Sequence, residues 1–200
     1  MKTKIMDVHE KLKELRAYAQ KHHIPVLKEE SAKVLEELVK KIKPKKVLEI
    51  GTSIGVSGIV VLSHSQAYLT TIEKDEKAFV QAAKNFKDLG FSKRVEMILG
   101  DCFSELMLMS KEFDLIILDG PKGHNLELTQ LVLPMLKEGG HIFVDNIFYH
   151  DKVLQKGHVE HKHRTIVTNL RKFIEFIQRH TKLETRILRT GDGIAIIKKL

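Results

Sequence analysis

Two apolar runs in this chain end on acids. The stretch FDLIILDGPKGHN (113–125) delivers Asp119 at the exit of a β-branched run and places Lys122 three residues later, while HIFVDN (141–146) delivers Asp145 followed by Asn146. Adjacent parallel strands lie about 4.8 Å apart, so side chains leaving neighbouring strands at the same edge converge on one point. Two carboxylates and a carboxamide are hard oxygen donors. With water and substrate oxygens in the remaining positions, Asp119, Asp145 and Asn146 suit an octahedral cation of the Mg²⁺ type. Any one of them alone serves equally well as a helix cap or turn residue; their coincidence at two strand ends is what points to a site.

Three further strand exits carry suggestive residues. LEIGTSIGVSG (48–58) has Gly51 and Gly55 four apart, but Ser53 stands where a dinucleotide-binding G-x-G-x-x-G needs its second glycine. A pyrophosphate requires that motif at a helix N-terminus, whereas a cofactor without phosphate needs only close backbone approach and a few amide donors. Glu73, in TTIEKDE, falls 22 residues after Gly51, where an acid can accept from both ribose hydroxyls of an adenosine. Its alternative role is a favourable charge at a helix N-terminus, which Asp75 and Glu76 already fill. Asp101, in LGDCFSEL, is suited either to an adenine amine or to capping the next helix.

The elements that must position these residues are legible as periodicity. Short β-branched runs at 46–50, 67–73, 94–99, 113–119 and 141–146 alternate with segments whose apolar residues recur every three or four positions. That alternation predicts crossover βαβ units and a parallel sheet covered on both faces. Two amphipathic helices, 7–22 and 29–43, form an N-terminal appendage, and a further helix spans 164–180. LETRILRTGDGIAIIKKL reads as two strands around a GDG turn, an antiparallel hairpin at the sheet edge. Gly139-Gly140 is expected at a helix C-cap before the fifth strand, and Pro134 is expected to kink the helix it sits in. The expected organisation is one domain, with helices over 1–44 and an α/β core over 45–200.

Composition bounds the rest. Of 200 residues 42% are hydrophobic, enough for one substantial core, and the single cysteine, Cys102, excludes an intramolecular disulfide framework. The first twenty residues are interrupted by charge too often for a signal peptide, and no window has the roughly 20 apolar residues of a spanning helix; a cytoplasmic location is the expectation. Net charge is +8, unevenly spread: residues 1–48 hold 13 Lys+Arg against 7 acids, 49–148 hold 9 against 14, and 149–200 hold 12 against 5. Basic flanks around an acidic middle suit an anionic partner, RNA ahead of membrane because there is no Trp. A lysine-rich solvated surface is the plainer alternative.

Taken together, VLEIGTSIGVSG, TIEKDE, GDCFSEL, FDLIILDGPKGHN, GGHIFVDNIF and GDGIAI resemble the metal-dependent, S-adenosylmethionine-using O-methyltransferases related to catechol O-methyltransferase, over about residues 24–199. Within that superfamily, IPVLKEESAKVLEELV and the segment 164–199 are most similar to bacterial tRNA 5-hydroxyuridine O-methyltransferases. The resemblance implies a Rossmann-like class I methyltransferase fold: a seven-stranded, mostly parallel sheet with an antiparallel C-terminal hairpin and helices on both faces. It implies S-adenosylmethionine and Mg²⁺, Mn²⁺ or Ca²⁺ as cofactors, and a homodimer. Carried over by position, it implies cofactor contacts at Glu49, Gly51, Thr52, Ser53, Gly55, Ser57, Glu73, Asp101, Cys102 and Asp119, with the methionine part against Gly51, Thr52 and the Gly55 loop. Metal ligands fall on Asp119, Asp145 and Asn146, and the general base on Lys122. Val56 departs from the aromatic residue usual in the family, and Gly120-Pro121 from its frequent alanine.

The chemistry so implied is in-line methyl transfer to an oxygen that must first lose its proton. A divalent cation acidifies and orients the acceptor, Lys122 beside it takes the proton, and alignment at contact distance supplies effective molarities of about 10⁵ M or more. A 5-hydroxyuracil base suits this site because its hydroxyl and C4 carbonyl chelate one cation, with the basic flanks holding an anticodon arm by its phosphates. The segment 149–164 should overhang the site as an exposed loop, with Lys156, Lys162 and Arg164 against RNA. Its four histidines invite a zinc reading, which the lack of a cysteine partner disfavours. The alternatives are a catechol-like small-molecule acceptor, an RNA-binding methyltransferase fold without catalysis and, more remotely, an NAD-dependent oxidoreductase.

Overall fold

β1 (Lys46–Ile50) lies at the middle of the sheet because it is apolar on both sides, with four of its five residues buried. A computed structural model describes residues 7–155, 157 and 159–200; Lys156 and His158 lie outside the described residues. From β1 the chain moves outward through β2 (Tyr68–Glu73) to β3 (Val95–Leu99), then returns to the other side of β1 with β4 (Phe113–Leu118) and β5 (Leu136–Asp145). The hairpin of β6 (Leu183–Leu188) and β7 (Ile194–Lys199) completes the order β3-β2-β1-β4-β5-β7-β6. β7 is antiparallel to both its neighbours and the other pairs are parallel. The expected seven-stranded sheet with its antiparallel hairpin is therefore present. The direction of winding reverses between β1 and β4, the place where open α/β sheets bind ligands.

Neighbouring residues of the central strands serve opposite cores. Val47, Leu115, Ile117 and Phe143 join one apolar cluster, while Leu48, Ile50, Ile116, Leu118 and Ile142 join the other, as the period of two demands. The first cluster is covered by α1 (Val8–His22), α2 (Glu29–Ile42), α3 (Val56–His64) and α4 (Glu76–Asp88). The second is covered by α5 (Cys102–Leu108), α6 (Asn125–Val132) and α7 (His161–Arg179). α1 and α2 pack onto this core. Leu15, Leu35 and Val39 pack in the same cluster as Val47 and Ile59, so the amphipathic faces read from the sequence are the cover of the sheet itself. Among the described residues no helix is long and apolar enough to cross a membrane.

Three local expectations need correction. Gly139-Gly140 does not cap a helix; both glycines lie inside β5, where the pairing with β4 slips from Phe113↔Leu136 to Leu115↔His141. Gly139 takes a φ of 76° in that irregularity, a conformation open to glycine at little cost. Pro134 does not kink α6 either, because the helix has already stopped at Val132 and Pro134 sits in the 3-10 turn Leu133–Met135. Its missing N–H and its ring, which would strike the carbonyl four residues back, end the helix there. The segment 149–164 is not all loop: α7 begins at His161, three residues earlier than expected.

Phe86 links this scaffold to the site, since its ring lies under Gly55 and Gly58, where an added Cβ would come within 3.1 and 2.9 Å of its Cζ. Phe86→Ala is expected to lower the unfolding free energy by about 3–5 kcal/mol, read from urea denaturation at constant slope.

Candidate active site

The ends of β1 and β4 meet more closely than side chains allow. A Cβ on Gly51 would stand 2.7 Å from the Asp119 carbonyl oxygen, and Gly51 holds a φ of 92°. Its N–H donates to the Ile72 carbonyl at 3.0 Å, and the Asp119 N–H donates to the Ile50 carbonyl at 3.0 Å. Glu73 then ties the loop to the end of β2. Its Oε2 accepts from the Ser53 N–H at 2.8 Å, and Oε1 accepts from the N–H groups of Lys74 and Asp75 at 2.9 Å each. Between these parts opens a cleft of about 590 Å³, a size ordinary for a small-molecule site. Gly51, Ser53, Glu73, Cys102 and Asp119 all line it.

Other residues assigned to the cofactor by sequence sit behind that wall. Glu49 is fully buried; Thr71 donates to its Oε2 at 2.7 Å and Ser57 donates to its Oε1. Thr52, also buried, is bonded to Thr71 across 2.5 Å. The hydroxyl network fastens α3, β2 and the Gly51 loop to one carboxyl group. Burial pushes that carboxyl up to about 7, against the two donating hydroxyls, with the charges of Asp119 and Glu73 adding to the rise. Gly55 is the residue at which α3 begins. Asp101 adopts its capping alternative: Oδ1 accepts from the Phe103 N–H at 3.0 Å and the Ser104 N–H at 3.3 Å. The sequence does not show this network: the resemblance puts Glu49 and Ser57 at the cofactor, and Thr71 looks like an ordinary strand residue.

At the other end of the cleft, Lys122 Nζ donates to Asp119 Oδ1 at 2.6 Å. Lys122 stands in the 3-10 turn Lys122–His124, which Asn169 of α7 braces by donating to the Gly123 carbonyl at 2.9 Å. Asp145, the last residue of β5, is 2% exposed. Burial pushes its carboxyl up to about 6; Asp119 adds to the rise, and Lys122 and the Ser31 hydroxyl oppose it. Ser31 donates to Asp145 Oδ1 at 3.0 Å from α2, 114 residues away. Lys122, Asp119 and Asn146 line the cleft with Asp145 behind them.

Among the described residues no group of three or more His, Cys, Asp or Glu side chains is arranged to hold a metal ion; this set has two carboxylates and needs the Asn146 amide as its third donor. Asp145, buried and raised further by the charge of Asp119, forms with Asp119 and Asn146 a site of two acids set against Lys122. Its donors are all oxygens, so it fits a hard divalent cation. His161 and His163 lie in the first turn of α7, and the Tyr149 hydroxyl lies 3.1 Å from His163 Nδ1.

The backbone after β5 is unusual. Asn146, Tyr149, His150 and Asp151 all have positive φ, between 49° and 59°, and each such non-glycine residue costs about 1–2 kcal/mol. Tyr149, His150 and Asp192 line the cleft, as do Pro25 and Val26 from the connection between α1 and α2. Sequence reasoning named the overhanging segment but not these residues, and it read Asp192 only as part of a turn.

The O-methyltransferase family profile matches residues 2–200. Caffeoyl-CoA O-methyltransferase of Populus kitakamiensis is 24% identical over 96% of this chain and 87% of its own length. Catechol O-methyltransferase of Mycobacterium tuberculosis is 32% identical over 53% of this chain and 50% of its own length. The crystal structure of the Bacillus cereus O-methyltransferase in complex with SAH shares the fold, with a TM-score of 0.84 at 23% identity, covering 96% of this chain and 91% of that one.

The Glu49 carboxyl has a pH signature. Its folded value is about 7 against an ordinary 4.5, so the folded state holds the proton more tightly than the unfolded chain does. The stabilisation is complete below the ordinary value and is lost as pH rises from there through the folded value. Glu49→Gln is therefore expected to gain stability relative to the parent between pH 5 and pH 8, read as the difference of urea midpoints at those about neutral-spanning pH values; a difference that stays constant would contradict the assignment.

Proposed function

The chain belongs to the O-methyltransferase family, enzymes that take a methyl group from S-adenosylmethionine, and we propose that it methylates a hydroxyl that has a second oxygen on the neighbouring carbon. One observation carries this reading: a single cleft is bounded by the Gly51 loop and Glu73 at one end and by Asp119, Lys122 and Asn146 at the other. When bound, S-adenosylmethionine supplies a sulfonium methyl open to in-line displacement, and a divalent cation supplies a charge that acidifies a hydroxyl.

The chain's residues do the rest. The Gly51–Ser53 loop approaches the methionine part, Glu73 accepts from the ribose hydroxyls, and Cys102 borders the adenine. Asp119, Asp145 and Asn146 would hold the cation, Mg²⁺ or with the same donors Mn²⁺ or Ca²⁺. A vicinal pair of acceptor oxygens is the chemistry such a site selects. In its neutral amine form Lys122 Nζ takes the proton of the acceptor hydroxyl, and the ammonium that results pairs with Asp119, 2.6 Å away. Ser31 keeps Asp145 oriented toward the cleft while the residues of the α1–α2 connection limit access of water.

The acceptor best supported is a catechol-like small molecule, since the similar proteins carry the names of catechol and caffeoyl-CoA methylation. A second reading, 5-hydroxyuridine at the wobble position of tRNA, is favoured by the excess of Lys and Arg in residues 1–48 and 149–200. Lys162, Arg164 and Lys172 are exposed on α7 and would meet RNA phosphates.

Labelled S-adenosylmethionine incubated with a catechol panel and, separately, with total tRNA separates the two. Label is expected on a catechol-type acceptor, abolished by EDTA and restored by Mg²⁺; label confined to tRNA would establish the second reading, and label on neither would refute both. Lys122→Met is expected to lower kcat by about 10²–10⁴-fold with cofactor affinity unchanged in calorimetry. Gly51→Ala is expected to abolish cofactor binding in the same assay, because its Cβ has no room beside Asp119.

A further inference from the structure

We propose that Asp192 is a positioning residue for the acceptor: it latches a left-handed turn over residues 149–151 and so fixes Tyr149 and His150 as the wall the acceptor meets. The proposal rests on the reading that the cleft takes a hydroxyl acceptor beside Lys122.

Tyr149, His150 and Asp151 have φ values of 49°, 55° and 58°. L-residues visit this region singly, not in succession, so such a turn persists only where its surroundings over-determine it. The loop between β6 and β7 supplies that determination. Asp192 Oδ1 accepts from the His150 N–H at 2.6 Å, the Asp192 carbonyl accepts from the Phe148 N–H at 2.9 Å, and the Gly193 carbonyl accepts from the Ile147 N–H at 3.0 Å. The two loops touch so closely that a Cβ on Gly193 would strike the Phe148 ring. On the far side the turn is closed by the Val153 N–H donating to the Phe148 carbonyl at 3.1 Å and the Leu154 N–H donating to the Asp151 carbonyl at 3.0 Å.

Of these bonds only the one to His150 uses a side chain, so it is the one that a change of residue type at 192 removes. It is also the bond at the centre of the left-handed run. The turn it holds sets the phenol of Tyr149 and the imidazole of His150 side by side, ring centroids 5.5 Å apart and planes tilted by 48°, both on the cleft with Asp192 itself. Two aromatic faces with polar edges suit a planar, hydroxylated ring. If the latch opens, the wall loses its place while the cofactor end, on the other strands, keeps its own.

Asp192→Ala and Asp192→Asn test this together, because the amide keeps an acceptor oxygen for the His150 N–H and alanine does not. Loss of one charge-assisted hydrogen bond is expected to speed exchange of the His150 amide and raise the acceptor KM by about tenfold each in Asp192→Ala. Asp192→Asn should recover most of both, and S-adenosylmethionine affinity should stay unchanged in either variant. Unchanged exchange at His150 in Asp192→Ala overturns the latch; faster exchange with unaltered acceptor KM overturns the positioning role, as does a lowered melting temperature with no kinetic effect. If the parent protein turns over no acceptor at all, the functional reading fails, and His150 exchange alone then upholds or overturns the latch.

Discussion

The strand ends of β1 and β4 approach until only a hydrogen atom separates Gly51 from the Asp119 carbonyl, and the rest of the site is arranged around that contact. It exists because the sheet reverses its winding between these two strands, which opens a crevice above them that no crossover helix covers. Gly51 turns the chain toward α3 on one side of the crevice, and Asp119 turns it toward Lys122 on the other. A larger residue at Gly51 would push the two halves of the cleft apart.

Charge within the site follows from the same crowding. Glu49 and Asp145 are both buried and both hold their protons more tightly than usual, yet they are treated differently. Glu49 is surrounded by hydroxyls from α3 and β2 and fastens the scaffold. Asp145 has one hydroxyl, a neighbouring acid and the reach of one lysine, which leaves negative charge uncompensated by the chain at the place where an acceptor and a cation would meet. The basic residues that give the protein its positive net charge lie mainly in its first and last quarters, away from this point in sequence.

Much of this was legible beforehand, and what escaped has a common cause. The strands, their parallel order and the convergence of Asp119, Asp145 and Asn146 follow from periodicity and from acids at strand ends, which are local signals. Ser31 meeting Asp145, Thr71 meeting Glu49 and Asp192 meeting His150 join residues far apart in the chain, and no short window encodes them. Gly139-Gly140 misled because glycine before a strand usually ends a helix; here Pro134 had already ended it, and the glycines served a slip in strand register instead. The N-terminal helices looked separable because their apolar faces have the right period for any partner, and only the fold shows that the partner is the sheet.

The hairpin has a consequence for how the protein is made. β7, the last strand, is inserted between β5 and β6 and pairs with both, and the loop that precedes it carries Asp192. Synthesis runs from the N-terminus, so β7 leaves the ribosome after both of the strands it joins. Until then β5 presents an unpaired edge just where Asp145 ends it. A nascent chain can bury α1 to α4 against β1 and β2 early, but a working cleft must await β7 and the loop before it.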